Sequence, residues 1–306
     1  MSLTLSEASK LSNDVLLQGI IETVVKDSPI LQRLPFIEIV GNGLTYNREN
    51  TMPTIDFYDV GDTWNESTPT FTQQTAVLKI MGGDADVDNF LKTTRSNIQD
   101  LETAVVEEKA KALRHKFEET FIYGNSSSNA KQFDGIRKLI DTTTAGSQVV
   151  AAGAAGASLT LSMLDQVIDS VRGGSPDILL MSRRSRRKIN TLVRSSGGMM
   201  ETNRDNWGNF IQLWNGIPIG VSDWVLDTHT LSGGIETAAT GGNCSSIYAL
   251  QFGESSVCGL TAPGNMVVEP IGSLETKDAS RLRIKWYTSL ALFSTVRAGA
   301  LIGVQD

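Results

Sequence analysis

The sequence predicts an α+β fold, and three stretches of it carry that prediction. Residues Arg95 to Tyr123 read as one helix: no Pro or Gly interrupts them, good helix formers dominate, and Ile98, Leu101, Val105, Val106, Ala110, Leu113, Phe117 and Phe121 recur at steps of three and four. Residues 41 to 80 carry the Thr, Tyr and Phe content and the Gly/Asn turns of a β-hairpin. Residues 162–196 then read helix, strand, helix.

Taken in order, the chain opens on an arm. A helix over roughly Asn13 to Lys26, with Leu16, Leu17, Ile20, Ile21, Val24 and Val25 on a broad apolar face, ends at Ser28-Pro29 and leads into the extended ILQRLPFIEIV. Such an arm must dock on its own body or on a neighbour. The hairpin after it has few large aliphatics before Val77, and a lone two-stranded ribbon is marginal in water, so it too needs a surface to lie on. In GGDADVDNFL, Asp84, Asp86 and Asp88 alternate like the first ligands of a calcium loop, but Asn89 and Arg95 stand where the turn Gly and the bidentate Glu belong. Alternation along a strand, with the three carboxylates on one solvated face, is the expectation instead.

At about 1.5 Å per residue the Arg95–Tyr123 helix spans about 43 Å, a strut for a flat protein or the core helix of an ordinary enzyme. Glu107 and Lys111 form an i,i+4 pair on it, and Gly124-Asn125 stops it. Residues 142 to 160 are low in complexity and mark a domain junction. Ser162 with Asp165 predicts a capping-box start for the next helix, PDILLMS a buried strand, and Arg183 to Arg194 a second helix. Phe210 to Val225 reads as strands turning at Asn215-Gly216, and residues beyond 243 supply the remaining strands.

The chemistry is notable for what it lacks. A net charge of −7 and a pI of about 5.0 are opposite to those of a dedicated nucleic-acid binder. Cys244 and Cys258 lack metal-type spacing and are expected as free thiols. No apolar signal segment precedes the arm, and the greasy stretch Ser289 to Val304 is short and broken by Arg297, so no membrane contact is expected. His115 and His229, the only histidines, sit outside any hydrolase motif and read as solvated surface residues; GxSxG, GxxxxGK[ST] and GxGxxG are all missing, so neither catalysis nor a cofactor is expected. The sharpest charge feature is the run Arg183, Arg184, Arg186, Arg187, Lys188 and Arg194, which suits a solvated helix face, a phosphate contact or a contact between subunits. No aromatics interleave with it, which argues against base stacking.

Together these pieces resemble the major capsid protein of tailed double-stranded DNA bacteriophages, the Hong Kong 97 type of shell subunit, over nearly the whole chain. Leu5 to Ile39 is similar to its N-terminal arm and residues 41 to 80 to its extended β-hairpin loop, with VGDTWNESTPTF where family members carry a Trp-x-Glu stretch. Arg95–Tyr123 resembles its spine helix, FIYGNSSSNAKQFDGIRKLI the phrase that follows it, and WYTSLALFSTVRAGALIGV its closing strands. The resemblance implies an arm (1–40), a hairpin loop (41–81), a peripheral domain (82–150 and 256–306, spine helix 95–123) and an axial domain (151–255). It further implies a non-enzymatic, self-assembling protein forming pentamers and hexamers of an icosahedral head, built in the host cytoplasm and residing in the virion. Portal and decoration proteins and nonspecific contact with packaged DNA would be its other partners. Candidate subunit contacts are Trp64, Glu66, Arg183, Arg184, Arg187 and Lys188. Lys79 is the only lysine between Lys26 and Lys92 and lies at the loop's base, so no Lys–Asn crosslinking is expected. The arm starts near Met1, so a separate scaffolding protein, or none, is expected. An encapsulin-type compartment shares the fold and would enclose cargo enzymes instead of DNA.

Overall fold

The computed structural model describes residues 29–95, 101–141, 147–204, 210–232, 235–237 and 241–305. The helix expected over Asn13–Lys26, Ile98 of the long stripe, and residues 142–146 of the junction lie outside these.

The strands, in chain order, are β1 (Phe36–Glu38), β2 (Gly43–Thr51), β3 (Thr70–Val77), β4 (Lys79–Asp88), β5 (Val149–Ala151), β6 (Ala157–Ser158), β7 (Ile178–Met181), β8 (Glu201–Arg204), β9 (Phe210–Trp214), β10 (Ile217–Val221), β11 (Thr230–Ser232), β12 (Ile235–Thr237), β13 (Cys244–Leu250), β14 (Val257–Ser273), β15 (Ala279–Leu292) and β16 (Ala298–Gln305). They build a four-stranded sheet ordered β1-β14-β15-β4 and a larger sheet ordered β5-β16-β13-β7-β10-β9-β8, with β6 beside β16. Two-stranded units β2-β3 and β11-β12 stand apart from both. The closing strand β16 belongs with the larger sheet, antiparallel to β13. Its AGALIGV run is buried on both faces, as a central strand requires.

The long helix is observed over Leu101–Tyr123, about 34 Å of helix at 1.5 Å per residue. Ala104, Leu113, Phe117 and Phe121 are buried on it, while Val105, Val106 and Ala110 of the expected stripe are half-buried. Lys111 reaches Glu108, three residues back, at 3.1 Å. Upstream, a helix already runs over Asn89–Arg95, because Asp88 is its cap: its Oδ1 accepts from the Phe90 and Leu91 amides at 2.9 and 3.4 Å. Downstream, the chain stops helix formation by folding back on itself. The Gly135 amide donates to the Gly124 carbonyl at 2.9 Å, and a Cβ on Gly135 would stand 2.5 Å from the Thr120 carbonyl oxygen.

Period-two alternation assigns the core. Ile178, Leu180, Tyr248, Leu250, Ala300 and Ile302 point to one side of the larger sheet, where they meet Phe117, Phe121 and Ile122 of the long helix and Ile284, Trp286 and Leu290 of the smaller sheet. Leu179, Met181, Ile247, Ala249 and Leu301 point to the other, under the helices Leu161–Ser170 and Arg183–Ser195. The first of these starts earlier than the Ser162–Asp165 pair suggests: Thr160 is its cap, accepting from the Met163 amide at 3.3 Å. Asp165 instead accepts from Trp214 Nε1 at 2.9 Å and Asn215 Nδ2 at 3.3 Å, tying helix to turn. That turn uses φ of 49° at Asn215 and 77° at Gly216, the left-handed pair that a two-residue hairpin demands. Cys244 and Cys258 are free and buried, and burial pushes the Cys258 thiol up to about 11.

Candidate subunit-contact surfaces

The ribbon β2-β3 is anchored at its base. Tyr46 donates its hydroxyl to the Leu292 carbonyl at 3.0 Å and packs at 4.8 Å against Phe293, whose carbonyl accepts from Arg48 Nε at 3.1 Å. Leu44, Ala76 and Leu78 pack on a small cluster of Ile39, Leu260 and Ala291. Lys79 donates to the Ala130 carbonyl at 2.8 Å, a bond that occupies its ammonium at the ribbon's root.

Beyond the paired strands, residues 52–69 carry Met52, Ile55, Phe57, Val60 and Trp64 into solvent, Phe57 and Val60 fully and Trp64 at 77%. The loop still has internal order. Trp64 stacks on Tyr58 with ring centroids 4.4 Å apart, and the Tyr58 hydroxyl accepts from the Asn65 amide at 3.1 Å. Asp62 accepts from the Asp59 amide at 2.7 Å across a turn where Gly61 sits at φ 98°. Glu66 is exposed close by in the chain. From Glu49 to Leu78 the ribbon carries Glu49, Asp56, Asp59, Asp62 and Glu66 and no Lys or Arg at all. Exposed apolar area on a segment with no core of its own marks a contact surface.

The basic helix is divided by its own geometry. Ser185, Ile189 and Val193 are buried. Arg183 forks onto Asp223 at 2.6 and 2.9 Å, and Arg184 donates to the Asn243 carbonyl at 2.6 Å with Asp227 at 3.7 Å. Lys188 reaches Ser158 Oγ at 3.5 Å. Three of the four basic candidates thus have chain-internal contacts, while Arg187 faces solvent. Sequence reasoning left Arg186 and Arg194 out of the candidates, yet both are exposed; the four-residue spacing of Ser185, Ile189 and Val193 is the signal that marks the buried face.

The alternating aspartates are spoken for. Arg281 forks onto Asp86 at 2.6 and 2.7 Å and Arg283 onto Asp84 at 2.7 and 2.9 Å, each guanidinium holding its carboxyl below the usual carboxylate range. With Asp88 turned to capping, the calcium-like spacing is a cross-strand ladder plus a helix start. Among the described residues no group of three or more His, Cys, Asp or Glu is placed to hold a metal, and no helix is long and apolar enough to cross a membrane.

His229 corrects the sequence reading. It is fully buried, not solvated, because β12 and the end of the long helix close over it. Its Nδ1 lies 3.0 Å from Glu236 Oε1 and its Nε2 3.0 Å from the Tyr123 hydroxyl, which accepts from the Leu226 amide at 2.9 Å. Because the Glu236 carboxylate only accepts, Nδ1 is the nitrogen that carries the proton toward it, and the Tyr123 hydroxyl proton then goes to Nε2. Ser246 Oγ donates to the same carboxylate at 2.7 and 2.8 Å, and Arg137 stands 3.5 Å away. Burial works against the Glu236 charge, but His229, Arg137 and Ser246 hold its pKa below the ordinary value. Ser, His and acid meet here, but the serine proton points at the carboxylate, and all three side chains are closed to solvent. His115 packs edge-on against Trp224 at 5.7 Å, half-buried.

The family described as SU10 major capsid protein matches residues 44–234. No curated protein matches the chain. Among solved structures, the chain is similar to that of the holo-SrpI encapsulin complex from Synechococcus elongatus PCC 7942, at TM-score 0.71 and 17% identity, covering 100% of this chain and 97% of that one. It is similar to a chain of Mycobacterium phage Bobi at TM-score 0.64 and 17% identity, with coverage of 100% and 99%. The capsid of a native GTA particle gives 0.63 and 13%, covering 98% and 100%.

Proposed function

The chain belongs to the SU10 major capsid protein family, and we propose that it tiles, as pentamers and hexamers of itself, the icosahedral head that encloses a phage's double-stranded DNA. Its fold is the Hong Kong 97 type. The observation that carries the assembled state is the ribbon: Phe57, Val60 and Trp64 are solvent-exposed on a loop with no buried residue of its own. Apolar area of that kind is stabilised only when another copy covers it, and this is what drives closed assembly.

In this reading the four-stranded sheet with the long helix forms the peripheral domain, and the larger sheet with its two covering helices forms the axial domain. Trp64 and Glu66 contact a neighbouring subunit, the protein is structural and not catalytic, and the assembled shell resides in the virion after assembly in the host cytoplasm. Portal and decoration proteins, with a separate scaffolding protein or none, complete the set of partners.

Negative-stain electron microscopy of the purified full chain, expressed alone and with its neighbouring phage genes, tests this. Hollow, faceted particles support it; a compact monomer at high concentration in every preparation overturns it. Particles packed with a cargo enzyme would assign the encapsulin-type compartment instead.

A further inference from the structure

We propose that the outward face of the helix Arg183–Ser195, through Arg186, Arg187 and Arg194, is a sequence-independent contact for the phosphate backbone of the enclosed DNA. The inference rests on the capsid reading and names the surface on which one partner would lie. Between Arg183 and Met200 the chain has six cations and no acid, in a protein whose net charge is −7. The structure spends Arg183 and Arg184 on Asp223, Asp227 and the Asn243 carbonyl. Among the described residues, no hydrogen bond or ion pair holds the side chains of Arg186, Arg187 or Arg194, and all three are exposed. Arg187 and Arg194 lie two turns apart, about 10.5 Å along the face opposite Ile189, with Thr191 between them and Arg186 flanking.

Two kinds of partner are anionic enough for this face: a nucleic acid, and the acidic ribbon of a second copy. The lining favours the first. Centres of protein contacts are depleted of charge and enriched in aromatic residues, but this helix presents no exposed large apolar side chain. The ribbon brings Ile55, Phe57, Val60 and Trp64 along with its carboxylates, and a purely cationic, hydrophilic helix leaves those side chains uncovered. Phosphate needs only guanidiniums, and without aromatics the helix has no means of stacking bases. Contact of this type carries no sequence information.

The test uses the full chain, with a fluorescent DNA duplex of about 30 base pairs read by anisotropy on unassembled capsomers at several salt concentrations. For the wild type, log affinity falls against log salt with a slope of about −0.9 per phosphate neutralised, so about −3 for three arginines. The variant R186Q/R187Q/R194Q loses that slope and binds at least about tenfold more weakly at low salt, while still forming particles by microscopy. Two duplexes of different sequence bind equally. Unchanged duplex affinity and slope in the variant overturn the proposal. If in addition the variant no longer assembles, the helix is a contact between copies. Singly substituted R187Q and R194Q, each losing about one phosphate of slope, keep the test valid should the triple variant misfold. Absence of particles from the wild type itself would instead count against the capsid reading, independently of the binding data.

Discussion

Glu236 and His229, carboxylate oxygen and ring nitrogen 3.0 Å apart, form a hydrogen-bonded couple sealed from water between the end of the long helix and the larger sheet. Breaking a buried pair by removing one partner leaves the other charge uncompensated, at a cost of about 3–5 kcal/mol. Glu236→Ala should destabilise the chain by that order in denaturant titrations at pH 7, because Arg137, largely buried at 3.5 Å, loses its carboxylate and His229 loses its hydrogen-bond partner. A loss below about 1 kcal/mol would show that the couple contributes little.

The pH dependence of the same group has a definite sign. The folded state holds the Glu236 pKa below its ordinary value, so its contribution is present above the unfolded carboxylate range and disappears as pH falls through the folded value. Glu236→Gln should therefore show a flatter decline in melting temperature between pH 5 and pH 3 (about the range in which carboxylates titrate) than the wild type. Equal slopes for both proteins would refute the assignment.

Phe117 contacts four other aromatic rings, those of Phe36, Phe121, Phe133 and Trp286, the last at 4.8 Å. Phe117→Ala should cost about 3–5 kcal/mol, read as a shifted denaturation midpoint at constant slope.

Much of this is legible in the chain, and the misses share a cause. The stripe of Leu113, Phe117 and Phe121, the turn at Asn215-Gly216 and the uncovered ribbon follow from local periodicity and turn chemistry, and the structure shows each. His229 reads as a surface residue because its burial comes from Tyr123, Glu236 and Ser246, residues 106, 7 and 17 positions away, which no local pattern reveals. Asp84 and Asp86 look solvated for the same reason: their arginines arrive from β15, nearly 200 residues on. Strand β16 is legible as a central strand from its apolar run, but hydrophobicity does not say which strands flank it.

With both arginines engaged, the aspartates leave no site for a divalent cation. Millimolar calcium or EDTA should leave the melting temperature unchanged, whereas Asp86→Asn should lower it by removing the fork from Arg281. A calcium-dependent rise in melting temperature would contradict the ladder.

Trp64 contacts Tyr58 within a loop that is exposed almost throughout. Trp64→Ala should change the stability of the unassembled chain by no more than about 0.5 kcal/mol, the range for exposed positions. Particle yield by sedimentation should nevertheless fall sharply. Normal yield would remove Trp64 from the contact surface.

The aromatic centre around Phe117 is continuous with Leu180, Tyr248 and Ile302 of the other sheet, so no seam of weak packing separates the two halves of the molecule. Bending one half against the other would open voids, at on the order of 2 kcal/mol for each 100 Å³ of gap. Each copy is in that sense a stiff tile. On the proposed closed surface, differences in curvature between neighbouring positions are therefore expected at the contacts between copies and not within one.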